Sequence, residues 1–244
     1  MRVKPIPLQV IQLAITHCQF TTMPLANTIA HMLIFVFFFL LHPGEYAYTN
    51  NPNAAPFHLC DVHLNLHNRR LNPLICSEQD LHAATYVGLE FTTQKNGVRG
   101  ETVGLGWSGH PTLCPVLALI QHLLHLHAHR APLTTPLYAY HNIGTWHIIT
   151  TTTLTQHLRW AASTLAQTTG ISPHNISIRS LCSSGAMALL CADVDSDKIH
   201  LLDRCHSNEM MRYLHVQVFP TPAPLAPLMV HHGYFTLIPN NPLG

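Results

Sequence analysis

Tyr213, near the end of this 244-residue chain, has a side chain that could act as a nucleophile. Tyr213 follows two methionines at 210 and 211, and this spacing is typical of one apolar side of a short helical turn. A tyrosine in such a turn either packs against the core or presents its phenol as a nucleophile. A nucleophilic tyrosine needs neighbouring groups that stabilise the charge developing in the reaction.

Histidines suggest a second kind of chemistry, the binding of a metal ion. His63 and His67 are four residues apart, which places them on one face of a helix, but two ligands do not complete a site. His125, His127 and His129 are spaced by two residues and do not share a helix face. The sequence contains neither an HExxH motif nor the cysteine and histidine spacing of a zinc finger. We therefore predict no dedicated metal site, and a histidine-rich metal-binding protein is the weakest alternative.

The composition combines many histidines with few charges. Hydrophobic residues make up 47% of the chain and charged residues only 9%, while 21 histidines stand against 12 lysines and arginines. The formal net charge of +1 predicts weak, salt-sensitive binding to nucleic acid at most. The seven cysteines are scattered without a CxxC pair, which favours a reducing, intracellular compartment.

The elements that must position these residues are mostly helical. Apolar periodicity, proline and glycine signals and a Lys-Asn-Gly turn indicate a mainly helical α+β fold in one domain, with a small antiparallel sheet and a helical C-terminal cluster. The run IAHMLIFVFFFLL (29–41) is too short to cross a bilayer and is predicted to be a buried helix, so no membrane partner is expected. Helices are predicted at 7–18, 25–41, 114–130, 154–170, 177–194 and 195–204, a strand at 57–65 and a hairpin at 84–107.

Four stretches, in this order, resemble the conserved boxes of one protein family. They are LLHPGEY (40–46), the hairpin TTQKNGVRGE (92–101), ISIRSLCSSGAMALLCADVD (176–195) and IHLLDRCHSNEMMRYLH (199–215). Together they resemble the tyrosine recombinases, or phage-type integrases, and in particular integrase-like genes of eukaryotic mobile elements. The resemblance covers residues 4–215 and implies that family's catalytic-domain fold. The family's separate amino-terminal DNA-clamping domain is expected to be absent, and residues 216–244 are expected to form a proline-rich tail.

The resemblance implies DNA breakage and rejoining without a cofactor. In the family a tyrosine attacks the scissile phosphate and forms a 3′-phosphotyrosyl link, while two arginines bind the non-bridging oxygens and a hairpin lysine protonates the leaving oxygen. Arginine suits this task because its planar fork donates two parallel hydrogen bonds and stays charged. The partners implied are double-stranded DNA and further copies of the chain assembled on DNA, in the nucleus if the host is a eukaryote.

Residue by residue, the matching catalytic set is incomplete. Tyr213 stands in the nucleophile's position, Lys95 in that of the hairpin lysine, and Arg179 and Arg204 in basic positions of the later boxes. His42 and Cys182 replace the two arginines, and Cys205 replaces a tryptophan, whereas the acidic partner of the first box is present as Glu45. Losing one such donor typically slows a reaction roughly 10²–10³-fold. We therefore predict a catalytically impaired recombinase, and whether the chain is an enzyme at all stays open.

A non-catalytic DNA-binding or interaction protein with the same fold is the main alternative. Its phosphate contacts would come from surface arginines, for which ordinary solvation is the competing interpretation. The replacements at positions 42 and 182 are each reachable from arginine by one transition in the codon. This pattern suggests a degenerate copy of a mobile-element gene, in which arginines became histidine and cysteine. The candidate DNA-binding residues are Arg69, Arg70, Arg99, Arg159 and Arg212.

Overall fold

The protein is an α+β structure in which helices surround two small antiparallel sheets, as the sequence predicts for the fold class. This computed structural model describes residues 5–19, 23–67, 69–73, 75–92, 100–203 and 225–234. The helices are α1 (Leu8–Gln19), α2 (Pro24–Phe39), α3 (Glu78–His82), α4 (Pro115–Ala128), α5 (Thr151–Thr164), α6 (Ala166–Thr169), α7 (Ser180–Cys191), α8 (Ser196–Asp203) and α9 (Leu225–His232). The strands are β1 (Val62–Leu66), β2 (Arg69–Leu71), β3 (Tyr86–Phe91), β4 (Glu101–Gly106), β5 (Ala139–Asn142) and β6 (Thr145–Ile148).

The core is built around α2, whose apolar residues are buried on every side. The helix packs against α1, α4, α7 and β5, so no face is left for solvent after its first turn. It starts with Pro24 at its first position, where a missing N–H costs nothing, and Leu40 caps its C-terminal end in a left-handed conformation with φ 51°. The predicted buried helix is thus confirmed. In the parts of the chain that are described, no helix is long and apolar enough to cross a membrane.

The larger sheet contains the predicted hairpin. Its strand order is β2-β1-β3-β4, and β3 pairs with β4 from Tyr86 opposite Gly106 to Phe91 opposite Glu101. The predicted strand at 57–65 is only partly correct, because a 3₁₀ turn over Leu59–Asp61 precedes β1. The Asp61 carboxylate accepts the backbone N–H of His58 at 2.8 Å and so stabilises a turn where alternation of apolar residues suggested a strand.

The β5–β6 ribbon was not predicted from the sequence. Its two strands are joined through Ile143 and Gly144, which have φ values of 45° and 79°. Positive φ at both central positions is the geometry of a type I′ turn, for which Asn-Gly is the usual sequence signal. A β-branched isoleucine is unfavourable in that conformation, so the local sequence contained no recognisable turn. Pairing with β6 and packing of β5 against α2 hold the ribbon in place.

The helical C-terminal cluster begins with two helices where one was predicted. The helix expected at 154–170 starts earlier, at Thr151, because the Thr150 hydroxyl accepts the N–H of Thr153 at 3.2 Å and caps it. It breaks at Leu165 into α5 and α6. Gly170 ends α6 with φ 69°, as predicted for a C-terminal cap.

The structure differs from the expected proline-rich tail over 216–244. Residues 225–232 of that range form α9, whose Ala226 and Met229 are buried and which packs against α7 and β4. The N–H of Leu8 donates to the carbonyl of Gly233 at 2.8 Å, so the end of α9 contacts the start of α1. Pro227 is tolerated because it lies in the first turn, where its missing N–H has no partner within the helix. Proline content therefore did not exclude a core helix.

Candidate functional site

The loop after α2 contains the residues of the first sequence box. The Glu45 carboxylate is buried and accepts the backbone N–H of His42 at 2.7 Å, so it closes a tight turn behind His42. Tyr46 is fully buried, and its hydroxyl donates to the carbonyl of Ile178 at 2.9 Å. Burial raises the pKa of Tyr46 well above its usual value, so the phenol stays a donor. This hydrogen bond joins the first box to the residue before Arg179.

The second box forms the start of α7. Arg179 is exposed and directly precedes the helix, and Cys182 lies in its first turn. The Cys182 thiol donates to the carbonyl of Leu40 at 3.4 Å, across the contact between α7 and the end of α2. The N–H of Ile6 donates to the hydroxyl of Ser184 at 2.7 Å and adds a third segment to this contact.

Gly185 allows α2 and α7 to approach this closely. A Cβ at this position would lie 2.1 Å from the Phe37 carbonyl oxygen and 2.4 Å from the Leu40 side chain. Both distances are well below van der Waals contact, so any other residue would push the helices apart. The glycine of the second box therefore has a packing role that follows directly from the geometry.

A cavity of about 480 Å³ opens where the two boxes meet. His42, Arg179 and Cys182, which are separated by up to 140 residues in sequence, all line it. Apart from these, its surface is mostly apolar, because α7 and α8 contribute aliphatic side chains. The remaining lining residues are Pro43, Ser183, Ala186, Met187, Leu190, Ser196 and Ile199.

The three side chains differ in what they can offer a bound anion. Arg179 supplies a permanent positive charge beside the N-terminal end of α7, where the helix dipole also favours an anion. His42 supplies an imidazole. The single S–H of Cys182 donates to the Leu40 carbonyl, so this side chain offers the cavity no charge and no free donor. Of these three side chains only Arg179 can bind an anion through two parallel charged hydrogen bonds.

No protein-family model, curated protein or solved structure matches the chain.

The other candidate catalytic residues lie outside the described residues. These are Tyr213, Lys95, Arg204 and Cys205, together with the candidate DNA contacts Arg99 and Arg212.

Two serines that line the cavity were not predicted from the sequence. Helical spacing from Arg179 could have identified one of them. Ser183 lies four residues after Arg179 and therefore on the same face of α7. Ser196 of α8 could not be found in this way, because only the packing of α8 against α7 brings it to the cavity.

Three candidate DNA-binding arginines are engaged within the fold. Arg69 of β2 forms an ion pair with Asp80 of α3. The guanidinium of Arg70 lies 3.0 Å from Nε2 of His63, which is also 2.6 Å from the Glu90 carboxylate. The guanidinium of Arg159 donates twice to the carbonyl of Ile176, at 3.0 and 3.1 Å, and so holds the segment before α7 against α5. These hydrogen bonds give Arg159 a structural role that requires no contact with DNA.

A second cavity, of about 470 Å³, lies between α2 and α4. His31, His122, His125 and Gln121 line it, and the Oε1 of Gln121 is 3.3 Å from Nε2 of His31. Burial lowers the pKa of His31 to about 4 and that of His122 well below its usual value, so both imidazoles are neutral at pH 7. Among the described residues, no group of three histidine, cysteine, aspartate or glutamate side chains is arranged to hold a metal ion.

Proposed function

We propose that the chain is a tyrosine-recombinase-like catalytic domain that binds duplex DNA and in which strand cleavage is impaired. The observation that supports this most is the meeting of His42, Arg179 and Cys182 at one cavity. The resemblance assigns these positions to the groups that surround the scissile phosphate, and the two boxes are far apart in sequence. Two further features agree with it, the buried carboxylate of Glu45 behind the first box and the close contact of α2 with α7 at Gly185.

In this proposal the cavity receives a phosphodiester of the DNA backbone. Arg179 binds one non-bridging oxygen, and protonated His42 binds the phosphate weakly. Because Cys182 has no charge, part of the negative charge of a pentavalent transition state is left unbalanced. Attack by Tyr213 on the phosphate is therefore slow or absent, even if DNA is bound. Binding without strand exchange, as in the alternative of a non-catalytic DNA-binding protein, follows from the same loss of the two arginines.

The test restores the missing charges in the cavity. The double variant His42→Arg and Cys182→Arg is compared with the wild type for binding to a randomised duplex at low salt. We expect about tenfold tighter binding, since two phosphate contacts are gained. The matched control is His174→Arg with Cys191→Arg, which makes the same exchanges at two exposed positions outside the cavity. An equal gain in both double variants would show that the cavity is not a phosphate site.

Covalent chemistry is tested with the same proteins. The probe is a pool of randomised duplexes, each nicked so that cleavage releases a short fragment and traps the protein on DNA. The wild type is expected to give no adduct that survives denaturation. Adducts of the His42→Arg, Cys182→Arg variant should disappear when Tyr213→Phe is added. Adducts that persist without the Tyr213 phenol would contradict the assignment of the nucleophile.

A further inference from the structure

A long central part of the chain carries no negative side chain. Residues 102–192 contain nine histidines and three arginines but no aspartate, glutamate or lysine, and all 11 carboxylates of the chain lie elsewhere. This part includes α4, the β5–β6 ribbon, α5 and α7. Its charge therefore depends on pH through its histidines, and no carboxylate within the same stretch cancels a proton that they take up.

Three of these histidines form a contiguous group where α4 meets the ribbon. His129 stacks on His141 with ring centroids 4.0 Å apart, and the ring of His125 lies 4.9 Å from that of His129. The backbone N–H of His141 donates to Nε2 of His125 at 3.0 Å, which fixes the ribbon to α4. Trp146 closes the group, with its ring 5.3 Å from His141. His125, His129, His141 and Trp146 are called the histidine cluster below.

The cluster is open to solvent at its outer side. His129 and the following residue, Arg130, are exposed, Trp146 is 41% exposed, and His141 is half-buried. The stacked rings of His129 and His141 are nearly parallel, with an interplanar angle of 23°, so their nitrogens do not converge on one point as metal ligands would. Since Nε2 of His125 is already occupied by the N–H of His141, this geometry fits a surface charge rather than a metal centre.

The elements around the cluster bring other imidazoles to it rather than carboxylates. Burial, and then the charges of His129 and His141, lower the pKa of His125. His31 of α2 lies close enough to His125 to affect it, whereas His147 of β6 stacks on Tyr140, and Glu78 of α3 acts on His127. The carboxylate of β3, Glu90, is paired with His63 at 2.6 Å, and that of β4, Glu101, is at the first position of its strand. Within the described ranges no carboxylate forms an ion pair with a cluster histidine.

We propose that the histidine cluster is a pH-dependent contact surface for the phosphates of duplex DNA. The proposal rests on the proposed function, since it adds a regulated contact to the same DNA-bound state. Imidazole is the side chain that ordinarily changes its charge between pH 5 and pH 8, whereas the guanidinium of Arg130 is charged throughout this range. A nearby phosphate favours the protonated form, so DNA binding and proton uptake reinforce each other.

Backbone hydrogen bonds connect the histidine cluster with the cavity lined by His42, Arg179 and Cys182, which supports contact of one duplex with both. The N–H of Tyr48 donates to the carbonyl of Ile149 at 2.8 Å, directly after β6, and the N–H of Thr151 donates to the carbonyl of Tyr48 at 3.3 Å. The loop that carries His42 is thus joined by backbone hydrogen bonds to the end of the ribbon. A duplex is long enough to contact several places on one protein of this size, and phosphate contacts serve to fix its position.

The experiment measures the affinity of the full chain for a randomised duplex at pH 7.5 and pH 6.0, over a series of salt concentrations. We expect about tenfold tighter binding by the wild type at pH 6.0, and a salt dependence steeper by about 0.9 for each protonated histidine that meets a phosphate. The His129→Gln, His141→Gln double variant should bind as the wild type does at pH 7.5 and lose most of the gain. His129→Gln alone, at an exposed position, should lose part of it. Calorimetry in two buffers of different ionisation enthalpy should detect more protons taken up on binding by the wild type than by the double variant, which keeps His42.

The control is His82→Gln, an exposed histidine in α3, a helix that also contains Glu78 and Asp80. It should keep the full gain at pH 6.0. Circular dichroism at both pH values ensures that each variant compared is folded. Binding that does not change with pH, or that changes equally in the cluster variants, would overturn this inference and leave the proposed function in place. If neither the wild type nor the arginine-restored variant binds DNA at either pH, both proposals fail.

Discussion

At the scale of single residues, burial decides the chemistry of the histidines. His122 is fully buried on α4, and neither ring nitrogen makes a hydrogen bond of ordinary geometry within the described residues. His31, which faces it across the cavity at a ring distance of 5.5 Å, has a partner for only one nitrogen. Unpartnered polar atoms in the interior destabilise a fold, and here they also make its stability depend on pH.

Replacing His122 by leucine tests this dependence. In the folded state its pKa lies below the usual value, so between pH 6.5 and the lower folded pKa only the unfolded chain takes up the proton. Folding stability that is present above pH 6.5 is then lost on acidification, by about 1.4 kcal/mol per pH unit for each such histidine. His122→Leu should reduce the fall in unfolding free energy between pH 6 and 5 by that amount, as measured by urea unfolding. His82→Gln should not change it, and a His122→Leu slope equal to that of the wild type would show that His122 does not titrate as described.

At the scale of elements, the contact between α2 and α7 positions the candidate site. Tyr46, Cys182 and Ser184 all make hydrogen bonds across this region, and Gly185 sets the distance between the two helices. The cavity lies at the end of this contact, so a change in helix spacing would displace His42 relative to Arg179.

Gly185→Ala is the substitution that tests the contact. Its Cβ would meet the Phe37 carbonyl oxygen, which belongs to the backbone and can move only with the helix. We expect a loss of roughly 1–3 kcal/mol in the free energy of unfolding. Gly106→Ala is the control, since its Cβ would have no neighbour closer than the Thr85 carbonyl oxygen at 3.8 Å. Equal unfolding free energies for the two variants in urea titrations would contradict the close approach of α2 and α7.

At the scale of the whole molecule, charge is scarce and depends on histidine. The sequence pI is about 7.8 and only 9% of residues are Lys, Arg, Asp or Glu, so the chain is almost uncharged at mildly alkaline pH. A protein near zero net charge lacks the repulsion between molecules that keeps it in solution. The charges are also unevenly distributed, because the carboxylates and the central histidines occupy different parts of the chain.

Solubility should therefore rise when the pH falls from 7.8 to 6.8. An imidazole with the ordinary pKa of about 6.5 is about one-third protonated at pH 6.8. The added positive charge is expected to increase the protein concentration that remains in solution at a fixed amount of precipitant. Light scattering at both pH values gives the second measure. A solubility that is lower at pH 6.8 would show that the histidines are not the groups that set the net charge.

Local sequence was sufficient for most of the helices, for the hairpin and for the burial of α2. Apolar residues on all sides of a 16-residue segment leave no face for water, and a Lys-Asn-Gly turn between two apolar segments favours antiparallel pairing. The resemblance of four short stretches further predicted which residues should surround a phosphate. Of these, His42, Arg179 and Cys182 line one cavity, while Tyr213, Lys95 and Arg204 lie outside the described residues.

Tertiary structure decided what depends on contacts between distant segments. The β5–β6 ribbon forms at Ile143, against the preference of that residue, because pairing and packing outweigh the strain of one turn. Helix α9 forms in a proline-rich region because α7 and β4 bury its apolar side chains. The cavity joins residues from two distant segments, the loop after α2 and the start of α7, which pack closely at Gly185. The sequence by itself thus determined the elements and the chemistry of their side chains, whereas packing determined which of these groups act together.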